Sequence, residues 1–533
     1  VIGFLLVVLH PPVLADAAPN SNQPTPGAAP GGKPPAQFDI WEIDVDGNTV
    51  LDDAVIEQNV KPFLGPGRSF ADVDYARGSL EAAYHERGYN TVSVSIPRQT
   101  VHDGIVLLSV NEGRVGHLNV VGSKYHSLDE IKEEAPSLQE GGVPNFRQVQ
   151  KDVVTLNRQQ DRRVTPSLKA GAAPGTVDVD LVVEDHVPLH GTVELNNRRS
   201  EDTTELRSSA SLSYSNLWQE GHSLSLSYQV APERPSDANV LYGSYLARFG
   251  SAPLSILFSA LNSNSNVATV GGTDVVGKGR SFGIRGIYEL PAGRYEYPTV
   301  SFGVDYKRFK TVTTLGNSSF ETPVEYYPFS IGYNNSIRGD ESLLQADVSL
   351  VFASPRLGSD TQTIQLNRAY ARGNTLYLRE NLSVTSDLWR DVQGFVRLSG
   401  QLADQPLISN EQFAVGGMDT VRGYLEAEAL GDVGYGGTLE LRSPSLGDYI
   451  SFGSVHPVQD LRFLSFFDGT ALVIRNALPG QASTNRLMSL GAGFNMRFFN
   501  YVNGAFVWAD PLINQSATKA WSSRLLFRVW TSF

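Results

Sequence analysis

The sequence predicts a mainly β fold: a sixteen-stranded antiparallel transmembrane β-barrel preceded by two small α/β domains. Three observations carry this. From Val187 onward, apolar and polar residues alternate with period two for about 350 residues, and almost no helical periodicity is present to cover the apolar faces. The chain of 533 residues is only 19% charged, holds 25 Phe, 21 Tyr and 50 Gly, and has a mean hydropathy of -0.18. After the N-terminus it contains no apolar run long enough for a membrane helix, whereas barrel strands leave no mark on averaged hydropathy. Finally, upstream of the alternating region, helical and extended segments follow one another in the same order twice.

The elements follow in chain order. "VIGFLLVVLHPPVLADAAP" opens with an apolar run, Val1 to Leu9, and continues with small residues around Ala15-Asp16-Ala17. Residues 1–17 are therefore expected to be a secretory signal peptide whose charged start is missing from the sequence. Residues 18–37, rich in Pro, Gly and Ala, cannot pack a core and read as a linker. The first α/β domain is expected over residues 38–113. It has an extended "FDIWEIDVDGN", a helix from Phe70 to Arg87 with Val73, Leu80 and Tyr84 at helical spacing, and two alternating strands, "YNTVSVSIP" and "GIVLLSVNEG". The second, over residues 114–186, repeats that order at an offset of about 75 residues, with "VGHLNVVGS", a helix over Phe146 to Asn157, "RRVTPSLKAG" and "TVDVDLVVED".

Residues 187–533 are expected to form the barrel. In "SLSLSYQV", Leu224, Leu226, Tyr228 and Val230 oppose Ser223, Ser225, Ser227 and Gln229; "VSFGVDYK" and "MSLGAGFNMR" behave alike. Lipid is the simplest cover for so many apolar faces. Strands are expected near residues 190, 207, 222, 240, 255, 280, 299, 325, 342, 375, 390, 436, 460, 488, 502 and 524. Sixteen is an even number, as a closed antiparallel barrel with both ends on one side requires. The last strand carries Leu525, Phe527 and Val529 on one face and ends on Phe533, expected to be the barrel-closing terminus.

Several functions are disfavoured. Net charge is -13 without a dense Lys/Arg stripe, so nucleic acid is not an expected partner. With no cysteine there is neither a disulfide framework nor a thiolate metal site. "GKGRSFG" at Gly277 lacks the spacing and ending of a phosphate-binding loop, and neither HExxH nor GxSxG occurs. No catalytic residue, cofactor or metal is expected, and the chain does not read as an enzyme.

One connection stands out. The stretch Gly416 to Gly437, led into by Gln405 to Phe413, lies between the eleventh and twelfth expected strands and contains "VRGY", Val421, Arg422, Gly423 and Tyr424. On the thirteenth strand, "LRFLSFFDGTALV", Phe466 and Asp468 share a face, while Leu461, Phe463 and Phe467 take the other. A carboxylate facing hydrocarbon is costly, so Asp468 is expected to point into the lumen. Arg422 is its expected partner: a loop folded back into the barrel would place the guanidinium against that carboxylate as a bidentate latch.

Together these features resemble the two-partner secretion transporters, of the superfamily that also contains outer-membrane barrel-assembly proteins. "LNRQQDRRVTPSLKAG", Leu156 to Gly171, followed by "VVEDHVPL", resembles the second POTRA domain of these exporters. The resemblance implies a bacterial outer-membrane protein with two periplasmic POTRA-like domains. These would capture an unfolded partner exoprotein, which then crosses the barrel without ATP. Outer-membrane lipid, periplasmic chaperones and the barrel-assembly machinery are the other implied partners. Two departures from the family are visible. The family's strand-thirteen pattern Phe-x-Asp-x-Gly is here Phe466, Asp468 and then Thr470, and the Pro-rich stretch Asp16 to Gln37 carries no pattern for the amphipathic plug helix of some members. The alternative is a barrel-assembly insertase; those proteins usually carry more than two POTRA repeats. A passive porin would explain the alternation but neither the modules nor VRGY.

Overall fold

The structure, a computed structural model, describes residues 37–157, 159, 161–250, 252–265, 267–270, 273–293, 295–315, 318–450 and 457–533. The expected signal segment 1–17, the lack of a plug helix before Gln37, and all of the linker except Gln37 lie outside the described residues. The chain divides into two compact units, one ending at Gly113 and one beginning at Arg114.

In the first unit, Glu42–Asp46 runs parallel to Ile105–Asn111, which pairs antiparallel with Ser93–Ser95. Between them come the helices Asp53–Val60 and Phe70–Glu86. The second helix begins at Ser69, whose N–H and hydroxyl both donate to the Asp72 carboxylate at 2.8 Å, a reciprocal cap that consumes the orphan donors of the first turn. Val73, Ala76, Leu80, Ala83 and Tyr84 are buried on one side of this helix, the spacing of a single apolar stripe.

The second unit opens with the same order of elements. Arg114–Val121 is parallel to Thr176–Asp185, which pairs antiparallel with Arg162–Ala170. The helices Leu128–Glu133 and Phe146–Leu156 close a core of Val115, Leu118, Ile131, Val149, Leu156 and Leu181. Each module thus buries one sheet face under its helices, a small core by domain standards.

The rest of the second unit is a closed barrel of sixteen antiparallel strands among the described residues. It starts with Leu189–Asn196, Arg207–Leu217, His222–Val230, Asn239–Arg248, Leu254–Ser263, Lys278–Glu289 and Thr299–Leu315. The eighth strand is split into Ser318–Tyr326 and Phe329–Arg338, both paired with the seventh. Pro328 lies in the gap; it has no N–H for the ladder, and its carbonyl instead accepts from the Asp305 N–H at 3.1 Å. There follow Ser342–Ala353, Thr375–Trp389, Val392–Ala403, Val433–Arg442, Val458–Val473, Thr484–Phe498, Val502–Pro511 and Arg524–Ser532. The period-two reading sets which way the strands face. Leu224, Leu226 and Tyr228 are exposed on the outer wall, while Ser227 and Gln229 are buried inside.

One boundary departs from the sequence reading. The connection after the eleventh strand runs from Asp404 to Asp432, and Gly434 to Gly437 belong to the twelfth strand. Glycine is depleted in strands, so "GYGG" reads as loop. Its neighbours on both sides hold it extended, Gly436 facing Ser399 and Thr470.

The barrel closes by pairing the last strand with the first, from Arg528 opposite Asn196 to Ser532 opposite Thr192. Phe533 prolongs the ladder: its N–H donates to the Gly191 carbonyl at 3.0 Å and its carbonyl accepts from the Gly191 N–H at 3.1 Å. At the other end the Asn197 side chain substitutes for a strand. Its amide donates to the Leu525 carbonyl at 2.8 Å and its carbonyl accepts from the Phe527 N–H at 2.9 Å.

Candidate functional site in the barrel lumen

The thirteenth strand, Val458–Val473, sets up the site by simple alternation. Phe463 and Phe467 are exposed on the outside, while Leu464, Phe466 and Asp468 face inward, Asp468 without any accessible surface. On the twelfth strand, Glu440 lies opposite Phe466 and Thr438 opposite Asp468, so both carboxylates share one patch of inner wall.

The long connection folds back into this wall. Phe413–Val415 and Ala429–Gly431 pair into a short ribbon, and the tip between them carries Arg422. Its Nε and Nη2 donate to the two Asp468 oxygens at 2.8 and 2.9 Å, and its backbone N–H adds a third bond to Asp468 at 3.1 Å. Nη1 donates to Glu440 at 2.6 Å, and the guanidinium plane lies 3.4 Å from the Phe466 ring centre. The second Glu440 oxygen accepts from Arg442 Nε at 2.7 Å. Two carboxylates and two guanidinium groups thus meet in pairs, which is what allows such charges to be buried. Arg442 also lies 5.1 Å from the Phe395 ring centre.

The other residues of the tetrapeptide shape the tip. Val421 is fully buried with Val415, Tyr424, Ala429, Leu472 and Leu487. Gly423 takes a φ of +92° against Pro511 and Ala509, a left-handed backbone that a side chain would strain. The Tyr424 hydroxyl lies 3.0 and 2.9 Å from the carbonyls of Met488 and Ile513 and accepts from the Ile513 N–H at 3.1 Å. Phe533 sits apart, at the seam.

The close backbone approach that Phe-x-Asp-x-Gly would supply on the thirteenth strand is supplied here from the twelfth. Gly436 lies opposite Thr470, and a Cβ on it would fall 2.1 Å from the Thr470 hydroxyl.

Sequence reasoning missed several members of the network. Glu440 and Arg442 share the inward phase with Thr438, and a pair of charges on that phase was the available signal. Arg198, just past the first strand, binds Glu426 at 3.0 Å and Asp419 at 2.6 Å in the tip. At the root of the loop, Asp432 and Glu411 are also buried. No group of three side chains suited to a metal occurs among the described residues.

Comparison with known proteins gives a consistent picture. Residues 38–113 match the family "POTRA domain, ShlB-type", and residues 175–458 match "Haemolysin secretion/activation protein ShlB/FhaC/HecB". Among curated relatives, the outer membrane transporter CdiB of Dickeya dadantii (strain 3937) is 24% identical over 181 residues, 34% of this chain and 32% of that protein. The match therefore spans about a third of that relative's length. Among solved structures, CdiB from Escherichia coli superposes with a TM-score of 0.68 at 19% identity, covering 96% of this chain and 93% of that one. BamA from Haemophilus ducreyi lacking POTRA domains 1–3 gives 0.54 at 14% identity over 93% of this chain and all (100%) of that one, a likeness of fold alone.

Proposed function

The chain belongs to the ShlB/FhaC/HecB family of haemolysin secretion/activation proteins, and from that premise we propose that it exports a partner exoprotein across the bacterial outer membrane. The two α/β modules take up the client, unfolded, in the periplasm, where an exposed sheet edge can add a strand of client by β-augmentation. The client then passes through the lumen once the loop carrying Arg422 leaves Asp468 and Glu440. No ATP is used at this membrane, and folding of the client outside supplies the direction. Val421, Gly423 and Tyr424 shape the tip, Phe466 and Asp468 are its wall partners, and Phe533 closes the barrel.

The observation that carries the reading is the loop tip held inside the barrel by one guanidinium against two buried carboxylates. A passive pore has no use for a buried, switchable ion pair on an internal loop, whereas a gated exporter does. Co-expression with an exoprotein encoded beside this chain tests the reading, with that exoprotein measured in the medium with and without residues 38–185. Release that depends on the segment is the expected result. If nothing is released and other outer-membrane barrels fail to assemble on depletion, the insertase reading replaces it. Arg422→Ala should reduce release at least severalfold while the amount of folded barrel stays near that of the parent, because Asp468 loses its guanidinium partner in the loop contact, Glu440 keeps Arg442, and the strand ladder is untouched. Equal losses of both would make the latch mere scaffolding.

A further inference from the structure

We propose that Glu411 is a second lock on the loop, one that closes the far end of the export path; this rests on the exporter reading above. The tip and the root of the loop attach to different stretches of the barrel wall. The tip meets Glu440, Asp468, Met488 and Pro511, on strands twelve to fifteen. Glu411, in a single turn at Ser409–Glu411, meets another stretch. One carboxylate oxygen accepts from Lys307 at 2.7 Å and from the Tyr326 hydroxyl at 2.6 Å, and the other accepts from the Tyr377 hydroxyl. Its backbone carbonyl accepts from Arg379 at 3.0 Å and Gln401 at 3.1 Å. One residue therefore binds strands seven, eight, ten and eleven.

Three of those partners, Lys307, Tyr377 and Arg379, also line a polar cavity of about 230 Å³, together with Arg285, Asp305 and Asp347. The cavity runs along strands six to ten, the wall that the loop tip leaves free. Its lining mixes both charge signs with serines and asparagine, and apolar groups are the minority, which suits an extended polypeptide: it offers donors and acceptors to a passing backbone and little apolar surface to retain it. Glu411 stands beside the cavity, bonded to three of its lining residues, and itself lines a neighbouring apolar pocket with Val324, Ile364, Pro406 and Ile408.

Asp432 explains how such a loop can move as one piece. Its carboxylate accepts from the Leu407 N–H at 2.8 Å and Gln412 at 2.9 Å on the incoming limb, and from Arg368 at 3.0 Å and the Arg475 N–H at 2.7 Å on neighbouring connections. The two ends of the loop are tied together there, so Asp432 is a pivot with Arg422 on one stretch of wall and Glu411 on another. Withdrawal of Glu411 leaves a lysine and two tyrosines without their acceptor, which favours the closed state until a client replaces it.

The test uses the purified full-length chain in planar lipid bilayers, with no client present. Glu411→Gln removes the charge and keeps the shape; Lys307→Gln weakens the same contact from the wall. Each should raise the time-averaged current about tenfold or more over the parent, the response of a two-state gate that loses one strong contact. Heat-modifiable mobility on a gel reports that the barrel is folded. Folded variants that both keep the parent's current overturn the proposal. A disulfide from Ile408→Cys with Val324→Cys, two positions packed in one cluster, should hold the current and export low until reductant is added. Unchanged export by the oxidised form also overturns it. Current needs no exoprotein, so a parent chain that releases no partner while these currents behave as expected would sink the exporter reading and leave the lock.

Discussion

Arg422 shows how much one side chain can organise when each of its three guanidinium nitrogens has an acceptor. Lysine offers a point charge in place of a planar fork, so Arg422→Lys would keep one carboxylate contact and lose the bidentate geometry and the stacking on Phe466. Gly436 makes a sharper test of the neighbourhood. Gly436→Ala puts a methyl group into the Thr470 side chain, and such overpacking costs roughly 1–3 kcal/mol. The temperature at which the folded barrel loses its heat-modifiable mobility should fall, and Thr470→Gly in the same chain should restore most of it. A drop without rescue would mean that the crowding involves the Gly469 carbonyl, 3.0 Å from the same methyl position. At this scale the inward phase of Phe466 and Asp468 was legible from period two, and Arg422 was singled out as partner because a long loop folded back into the barrel could set its guanidinium against a lumenal carboxylate. Glu440 was not singled out, because an inward charge on a barrel strand reads the same whether it meets water or a guanidinium.

Among the elements, the second module and the barrel share a joint that period and composition do not disclose. The Asp161 carboxylate accepts from the Ser215 hydroxyl and lies 2.5 Å from His190 Nε2, and its carbonyl accepts from the His186 N–H at 2.8 Å. The Ser127 N–H donates to Gln219 at 3.0 Å, which ties the helix Leu128–Glu133 to the turn after the second barrel strand. Two carboxylates here give opposite pH dependences. Burial, with the negative charge of Glu134 beside it, pushes Glu130 up from 4.5 to about 7. The folded state then holds a proton that the unfolded chain releases, so this part of the module loses stability as pH rises from about 4.5 to about 7. Glu130→Gln should flatten that dependence, seen as hydrogen-exchange protection factors over residues 127–138 in the full chain that no longer fall between pH 5 and pH 7. A dependence that survives the substitution would rule Glu130 out. Asp185 behaves the other way. Burial would raise it, yet the N–H groups of Tyr125 and Lys124, His126 and Ser123 hold it below its ordinary value. Its contribution is present above the unfolded value and is lost as acid protonates it.

For the whole molecule, the question is whether material leaves through the lumen or through the seam. The ladder between first and last strands is reinforced by Asn197 at one end, by Phe533 on Gly191 at the other, and by the Glu194–Arg528 ion pair of 2.7 Å between them. The chain has no cysteine, so Leu195→Cys with Val529→Cys, directly opposite across the seam, gives a single disulfide on an otherwise thiol-free protein. Export should continue in the oxidised form. Loss of export on oxidation and its return on reduction would favour lateral opening, the behaviour expected of an insertase.

The amino-acid sequence by itself determined the class of fold, the sixteen strands and the phase of those that alternate most clearly, because a strand whose outer face meets lipid must alternate. It also marked the connection that carries VRGY, since no hairpin needs that length. Only the tertiary structure decided where that connection goes. Glu411 and Asp432 on the connection, Glu440 on the twelfth strand and Arg198 just past the first each find a partner from a distant part of the chain only once the barrel has closed. Contacts made across a lumen leave no period in the sequence, because their geometry depends on the register of every strand between them.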